Sequence, residues 1–177
     1  MQRIMVIGGS GSGKSTLARK IGAITGLPVI HVDRMYWKAG WVLRDAAETR
    51  SLVIAAAQRD EWVFDGNNSS TFHQRADRAH AIVFLDLPTW LRSFGIVWLT
   101  VASYGLSRPD MAEDCPERFD YGFMKWVLGY RKNGGRTRAL ELLDTYAFKR
   151  DIFHLRSRRE VNAFLGVLQD RFQRDYA

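Results

Sequence analysis

The chain of 177 residues holds a single cysteine, Cys115, so no disulfide can form within it and the sequence fits a reducing, cytoplasmic setting. No basic stretch followed by an apolar one opens it, so no secretion signal is expected. The longest uncharged run, Ser93 to Ser107, is 15 residues with several polar ones among them. That is short for a membrane span and reads as a largely buried helix, so no membrane partner is expected. The four histidines, at 31, 73, 80 and 154, show no metal-ligand spacing, and no Asn-Lys-x-Asp stretch is present to read a guanine base. Repeats, low-complexity tracts and linker-like segments are missing as well. With 46% hydrophobic residues there is enough apolar surface for one core, and residues 1–177 are expected to form one domain.

Acidic residues are outnumbered, 19 against 26 lysines and arginines, for a net charge of +7. The basic excess sits in residues 1–60 and 118–160, with an acidic stretch at 61–117 between them. An even basic surface would point to nucleic acid, whereas separate blocks suit a local polyphosphate. Charge alone leaves both open.

What is present is more specific. Residues 8–15 read Gly8-Gly9-Ser10-Gly11-Ser12-Gly13-Lys14-Ser15, followed by Thr16. The apolar run Ile4 to Ile7 leads in, and Leu17, Ile21 and Ile24 lead out at helical spacing, so strand, loop and helix come in the order a phosphate-binding loop needs. Glycines let backbone N–H groups wrap a phosphate at the positive end of a helix. Lys14 is placed to reach the β- and γ-phosphates of a nucleoside triphosphate, and the Ser15 hydroxyl to bind Mg²⁺.

The remaining pattern alternates strand and helix. Strands are expected at 29–33, 62–66, 81–86 and 152–155. Capping boxes at Asp45/Glu48 and Ser157/Glu160 open helices, and Pro88 opens the long apolar one. This predicts an α/β fold: a parallel sheet covered on both faces, with ligands at the carboxyl ends of its strands. Residues 106–135, with two prolines, adjacent glycines and much positive charge, are expected to be a mobile lid-like insertion.

A second carboxylate is needed on the metal side, at the end of an apolar strand. Asp65 and Asp86 both qualify. Asp65 is preferred because it precedes Gly66 and a polar turn, while Asp86-Leu87-Pro88 equally suits a helix N-terminus. Asp33 ends the second strand, either as the group that orients or deprotonates an acceptor hydroxyl or as a turn carboxylate beside Arg34. Arg108, Arg118, Arg131, Arg136 and Arg138 lie in or beside the insertion, where two of them are expected to meet the transferring group and the others to be solvated; Arg118 and Arg131 are the pair chosen. Arg156 and Arg158 flank Ser157 after the last strand, where a guanidinium can lie against a base.

The phosphate loop, Trp62-Val63-Phe64-Asp65-Gly66-Asn67, Asp86-Leu87-Pro88 and Leu155 to Glu160 together resemble adenylate-kinase-like small P-loop kinases. His31-Val32-Asp33, Trp37, Gly40-Trp41 and the stretch Arg108 to Phe119 are more specifically similar to the bacterial topology-modulation (FlaR-like) group. The resemblance implies a three-layer P-loop NTPase fold with a five-stranded parallel sheet of order 2-3-1-4-5, ATP with Mg²⁺, and base binding around Arg156 and Ser157. It is incomplete on the acceptor side. Asn67-Asn68-Ser69 replace the Phe-Pro-Arg that grips AMP in adenylate kinases, and Val32 and Trp37 fall where AMP-binding residues belong. The expectation is therefore an ATP-dependent kinase acting on a small acceptor other than AMP. The alternative is an ATP-binding regulator that contacts DNA.

Overall fold

The computed structural model describes residues 1–106, 110–117, 119–130 and 132–175. Five strands form a parallel sheet: β1 (Arg3–Gly8), β2 (Val29–His31), β5 (Trp62–Asp65), β6 (Ala81–Leu85) and β7 (Asp151–Leu155). Their spatial order is β2-β5-β1-β6-β7. Counted within this sheet alone, that is 2-3-1-4-5. The numbering is interrupted by a two-stranded hairpin the sequence pattern did not reveal, β3 (Trp37–Lys38) and β4 (Val42–Leu43).

β1 sits at the centre because all four of its middle residues are apolar. Ile4, Met5, Val6 and Ile7 are fully buried, and alternation sends them to opposite faces. Met5 and Ile7 join a core under α3 (Ala46–Ala57), α4 (Phe72–Arg78) and α7 (Gly135–Tyr146). Ile4 and Val6 join one under α1 (Lys14–Thr25) and α8 (Arg158–Asp175). The result is the expected three-layer arrangement.

α2 (Val32–Tyr36) is an unexpected short helix. The second strand was expected to run to residue 33, but its pairing with β5 stops at His31↔Asp65, and the chain turns into α2 with Asp33 in the first turn, where a carboxylate favours the helix dipole. α4 also escaped notice: seven residues carry too few apolar positions to display a helical period. α5 (Thr89–Ala102) and α6 (Tyr121–Gly129) complete the fold.

The stretch 110–117 is held from several sides. Arg19 pairs with Asp110 at 3.4 Å, Arg34 Nε donates to Met111 O, Gly40 N to Asp114 O and Trp41 Nε1 to Pro116 O. Cys115 is buried and accepts from the Trp41 backbone. The two segments that carry the more specific resemblance, 31–41 and 108–119, therefore meet through their described residues.

Candidate functional site

The centre of the site is the turn from β1 into α1. Gly13 stands at the helix N-cap with φ 88°, a left-handed conformation that suits glycine, and Lys14 begins the helix. The Lys14 ammonium folds back to within 3.4 Å of Gly9 O, so the cation lies over the loop that precedes it. Ser15 is half-buried and Thr16 exposed in the same first turn.

Two arginines hold the loop from outside. Arg92, buried on α5, directs its guanidinium at Ser10 O (3.5 Å) and Val127 O (3.4 Å), with the Tyr130 ring 4.8 Å away. Burial pushes the Tyr130 phenol up to about 12, so it remains neutral beside the cation. Arg158 donates to Ser12 O at 3.4 Å. A trans peptide points its C=O and the following N–H in opposite directions. Carbonyls 10 and 12 turned to Arg92 and Arg158 thus turn the N–H groups of Gly11 and Gly13 the other way, as donors for an anion. A Cβ on Gly9 or Gly11 would run into Arg92, and one on Gly95 would lie 2.6 Å from Gly11 O. The loop and α5 are packed backbone to backbone.

The strands beside β1 each end near a carboxylate. Asp65 closes β5 opposite Val6. It is buried, one oxygen 2.8 Å from His31 Nδ1 and the other, Oδ1, without a hydrogen-bond partner. Asn67 Oδ1, in the following turn, accepts from Gly8 N at 3.0 Å, which ties that turn to the phosphate loop. Beneath it lies Arg75, fully buried, donating to the carbonyls of Gly66 (2.8 Å), Asn67 and Asn68. Burial pulls Arg75 down to about 9, still a cation at neutral pH, and the charge of Asp65 opposes that fall.

Asp86, just past β6, is also buried but has its oxygens taken. Arg136 Nε lies 2.9 and 3.0 Å from the two oxygens, Arg136 Nη2 2.7 Å from Oδ2, and His154 Nε2 3.1 Å from Oδ2. That hydrogen bonding holds the Arg136 pKa above its ordinary value. The helix that follows is capped by Pro88 without a side-chain bond, so Asp86 serves an ion pair rather than a helix start.

Arg156 is exposed, with its guanidinium 3.3 Å from His154 Nδ1. Ser157 and Glu160 form the capping box of α8, and the Glu160 carboxyl is held below its usual range by the Arg156 N–H. Asp33 is exposed on α2. Arg118 and Arg131 lie outside the described residues.

Sequence reading missed Arg75, Arg92 and the roles of His31 and His154. Arg92 had a signal: a lone charge in an otherwise uncharged helix must find a buried partner. Arg75 had none. Among the described residues there is no group of three or more potential metal ligands, and no helix is long and apolar enough to cross a membrane.

No protein-family model and no curated protein matches the chain. Its fold is similar to solved structures. Shikimate kinase from Acinetobacter baumannii, in complex with shikimate, superposes with a TM-score of 0.61 at 14% identity, covering 99% of this chain and 91% of that one. Deoxyadenosine kinase from M. mycoides, with dCMP and a flexible dCDP bound, gives 0.50 at 12% identity, covering 97% and 98%. At such identities the likeness shows the fold alone, a parallel α/β sheet flanked by helices.

Proposed function

We propose that the protein is an ATP-dependent phosphotransferase that moves the γ-phosphoryl group to a small hydroxyl-bearing acceptor. One observation carries this reading: a glycine loop whose outward carbonyls are held by Arg92 and Arg158, with Lys14 folded over it at the start of α1. Such a loop presents N–H donors and one cation to a polyphosphate without reorganising.

Mg²⁺ would be held by the Ser15 hydroxyl and, through its water shell, by Asp65. The unpartnered buried Oδ1 of Asp65 fits that role, and Asp86, with both oxygens engaged, fits it less well. The ion supplies charge neutralisation across the β- and γ-phosphates. Asp33 is assigned to orient the acceptor hydroxyl and take its proton as the oxygen attacks phosphorus and ADP leaves. Arg156 and Ser157 are assigned to the adenine base, the role that the resemblance implies for them.

Residues 106–135 are proposed as the lid-like insertion of a single domain spanning 1–177, with Arg118 and Arg131 meeting the transferring group. The bonds to Asp110, Met111, Asp114 and Pro116 make 110–117 its fixed base. The incomplete AMP half, Asn67 to Ser69 with Val32 and Trp37, favours an acceptor other than AMP. The similar solved structures lend a DNA-binding role no support, and Arg75, Arg92, Arg136 and Arg158 are turned onto the protein's own strand ends and phosphate loop.

Lys14→Ala tests the reading. The variant is expected to keep its circular dichroism and lose roughly 10–100-fold in Mg·ATP affinity, the worth of a charge-assisted phosphate contact. It should also lose the ADP release that one of a panel of nucleosides, nucleotides and hydroxylated metabolites stimulates in the unaltered protein. Undiminished ATP binding in a folded Lys14→Ala protein would falsify the proposal.

A further inference from the structure

The face of α5 turned away from the phosphate loop has an unusual composition. Trp90, Phe94, Trp98 and Val101 are 65–72% exposed, and Val97 stands among them. At 100° per residue these five fall within an arc of about 100°, a continuous stripe roughly 17 Å long. Arg92, Ile96 and Thr100 occupy the opposite, buried side. The helix has no other charged residue, so its outer face carries no charge at all. Tyr104 and Leu106, beyond the helix end, are exposed as well.

Partly exposed aromatics of this size, with the two valines, offer roughly 450–650 Å² of apolar surface, about the apolar share of one side of a standard interface. The largest apolar patch on an ordinary monomer is about 300–600 Å². A stable dimer of standard size covers about 800 Å² on each partner. We propose that this face is the interface of a two-fold symmetric homodimer, in which α5 packs antiparallel on α5 of a second copy.

A second copy fits for two reasons. One straight stripe is its own complement under a two-fold axis through its middle, near Val97, which sets the Trp90–Phe94 end of each helix on the Trp98–Val101 end of the other. A lipid surface would instead be met by a helix with lysines or arginines along its polar edge, and here the single arginine points inward. The interface also lies directly behind the phosphate loop, since Gly95 and Arg92 pack on Gly11 from the same helix. Dimerisation would brace the wall that shapes the loop.

Sedimentation velocity on the full chain tests this. The unaltered protein is expected to sediment as a dimer of its 20.3 kDa chain at about 10 µM, the range standard-size interfaces reach. Trp98→Glu and, separately, Val97→Arg should each give a monomer with unchanged circular dichroism. Val97→Cys should form a disulfide-linked dimer under mild oxidation, since native Cys115 is buried. A monomeric parent protein overturns the proposal, and so does a dimer that survives both charged substitutions or a Val97→Cys protein that does not cross-link. Co-sedimentation of monomeric protein with phosphatidylserine–phosphatidylcholine vesicles, abolished by Trp98→Glu, would assign the face to lipid instead.

Discussion

The strands on either side of β1 end alike in sequence and differently in structure. β5 ends at Asp65 and β6 runs into Asp86; both carboxylates are buried and each has a histidine within hydrogen-bond distance. An arginine stands near each as well. Arg136 spends its fork on the carboxylate of Asp86, whereas Arg75 spends its own on the carbonyls of 66–68 and acts on Asp65 only through its charge. Asp86 is thus saturated, while Asp65 keeps an oxygen to give. Position at a strand end qualifies a carboxylate for metal work. What its neighbours already take from it decides whether it can do that work.

The largest effect is expected where the β5 end is supported. Arg75→Met keeps the volume but orphans the carbonyls of Gly66, Asn67 and Asn68, at roughly 1–3 kcal/mol for each one that water cannot reach. Denaturant unfolding should show a loss of several times the ordinary surface substitution. A loss within 0.5 kcal/mol, the usual surface range, would mean that the turn holds itself and that Arg75 is not what leaves Asp65 open.

Next come the carboxylates themselves. Asp65→Asn should act first on turnover, lowering it about 10–100-fold and raising the Mg²⁺ requirement, with a lesser loss in melting because it removes the charge opposite buried Arg75. Asp86→Asn should do the reverse. Without its countercharge Arg136 is left near the positive end of α7, which destabilises the protein by roughly 1–3 kcal/mol without touching the Mg²⁺ dependence. A Mg²⁺ titration on both variants decides, and the opposite pattern moves the metal role to Asp86.

How far these differences could be read from sequence follows from their range. The phosphate loop is local: eight contiguous residues, with apolar runs before and after, fix strand, turn and helix start together. The strands of the sheet were legible for a similar reason, since each announced itself by an apolar run, while their order was implied by the resemblance to adenylate-kinase-like kinases. The contrast between Asp65 and Asp86 is set by His31, Arg136 and His154, which lie 34, 50 and 68 residues away. Nothing in a local pattern carries that information. The hairpin at 37–43 was hidden because its strands are two residues long and its residues pack against 110–117 rather than the main sheet.

The smallest expected effect removes a background that would blur the comparison. His31 and His154 both touch strand-end carboxylates. A third histidine, at the opposite end of the same strands, titrates the fold instead. His80 Nδ1 faces the backbone N–H groups of Gln2 (3.1 Å) and Arg3 (3.3 Å), and its Nε2 lies 2.9 Å from the Arg3 guanidinium. An imidazolium there would meet only donors and positive charge. Burial, then Arg3, lowers its pKa below 6.5. With the folded value depressed, the unfolded chain takes up the proton first. The stabilisation is therefore complete above 6.5 and fades as pH falls through the folded value. Melting temperature should drop on acidification from about pH 7 to about pH 5, and less steeply in His80→Gln. Activity profiles of the two proteins, each corrected for its own folded fraction, should then coincide. If His80→Gln melts with the same pH slope as its parent, His80 is not the source of the loss of stability and its contact with Arg3 leaves the fold indifferent to the proton.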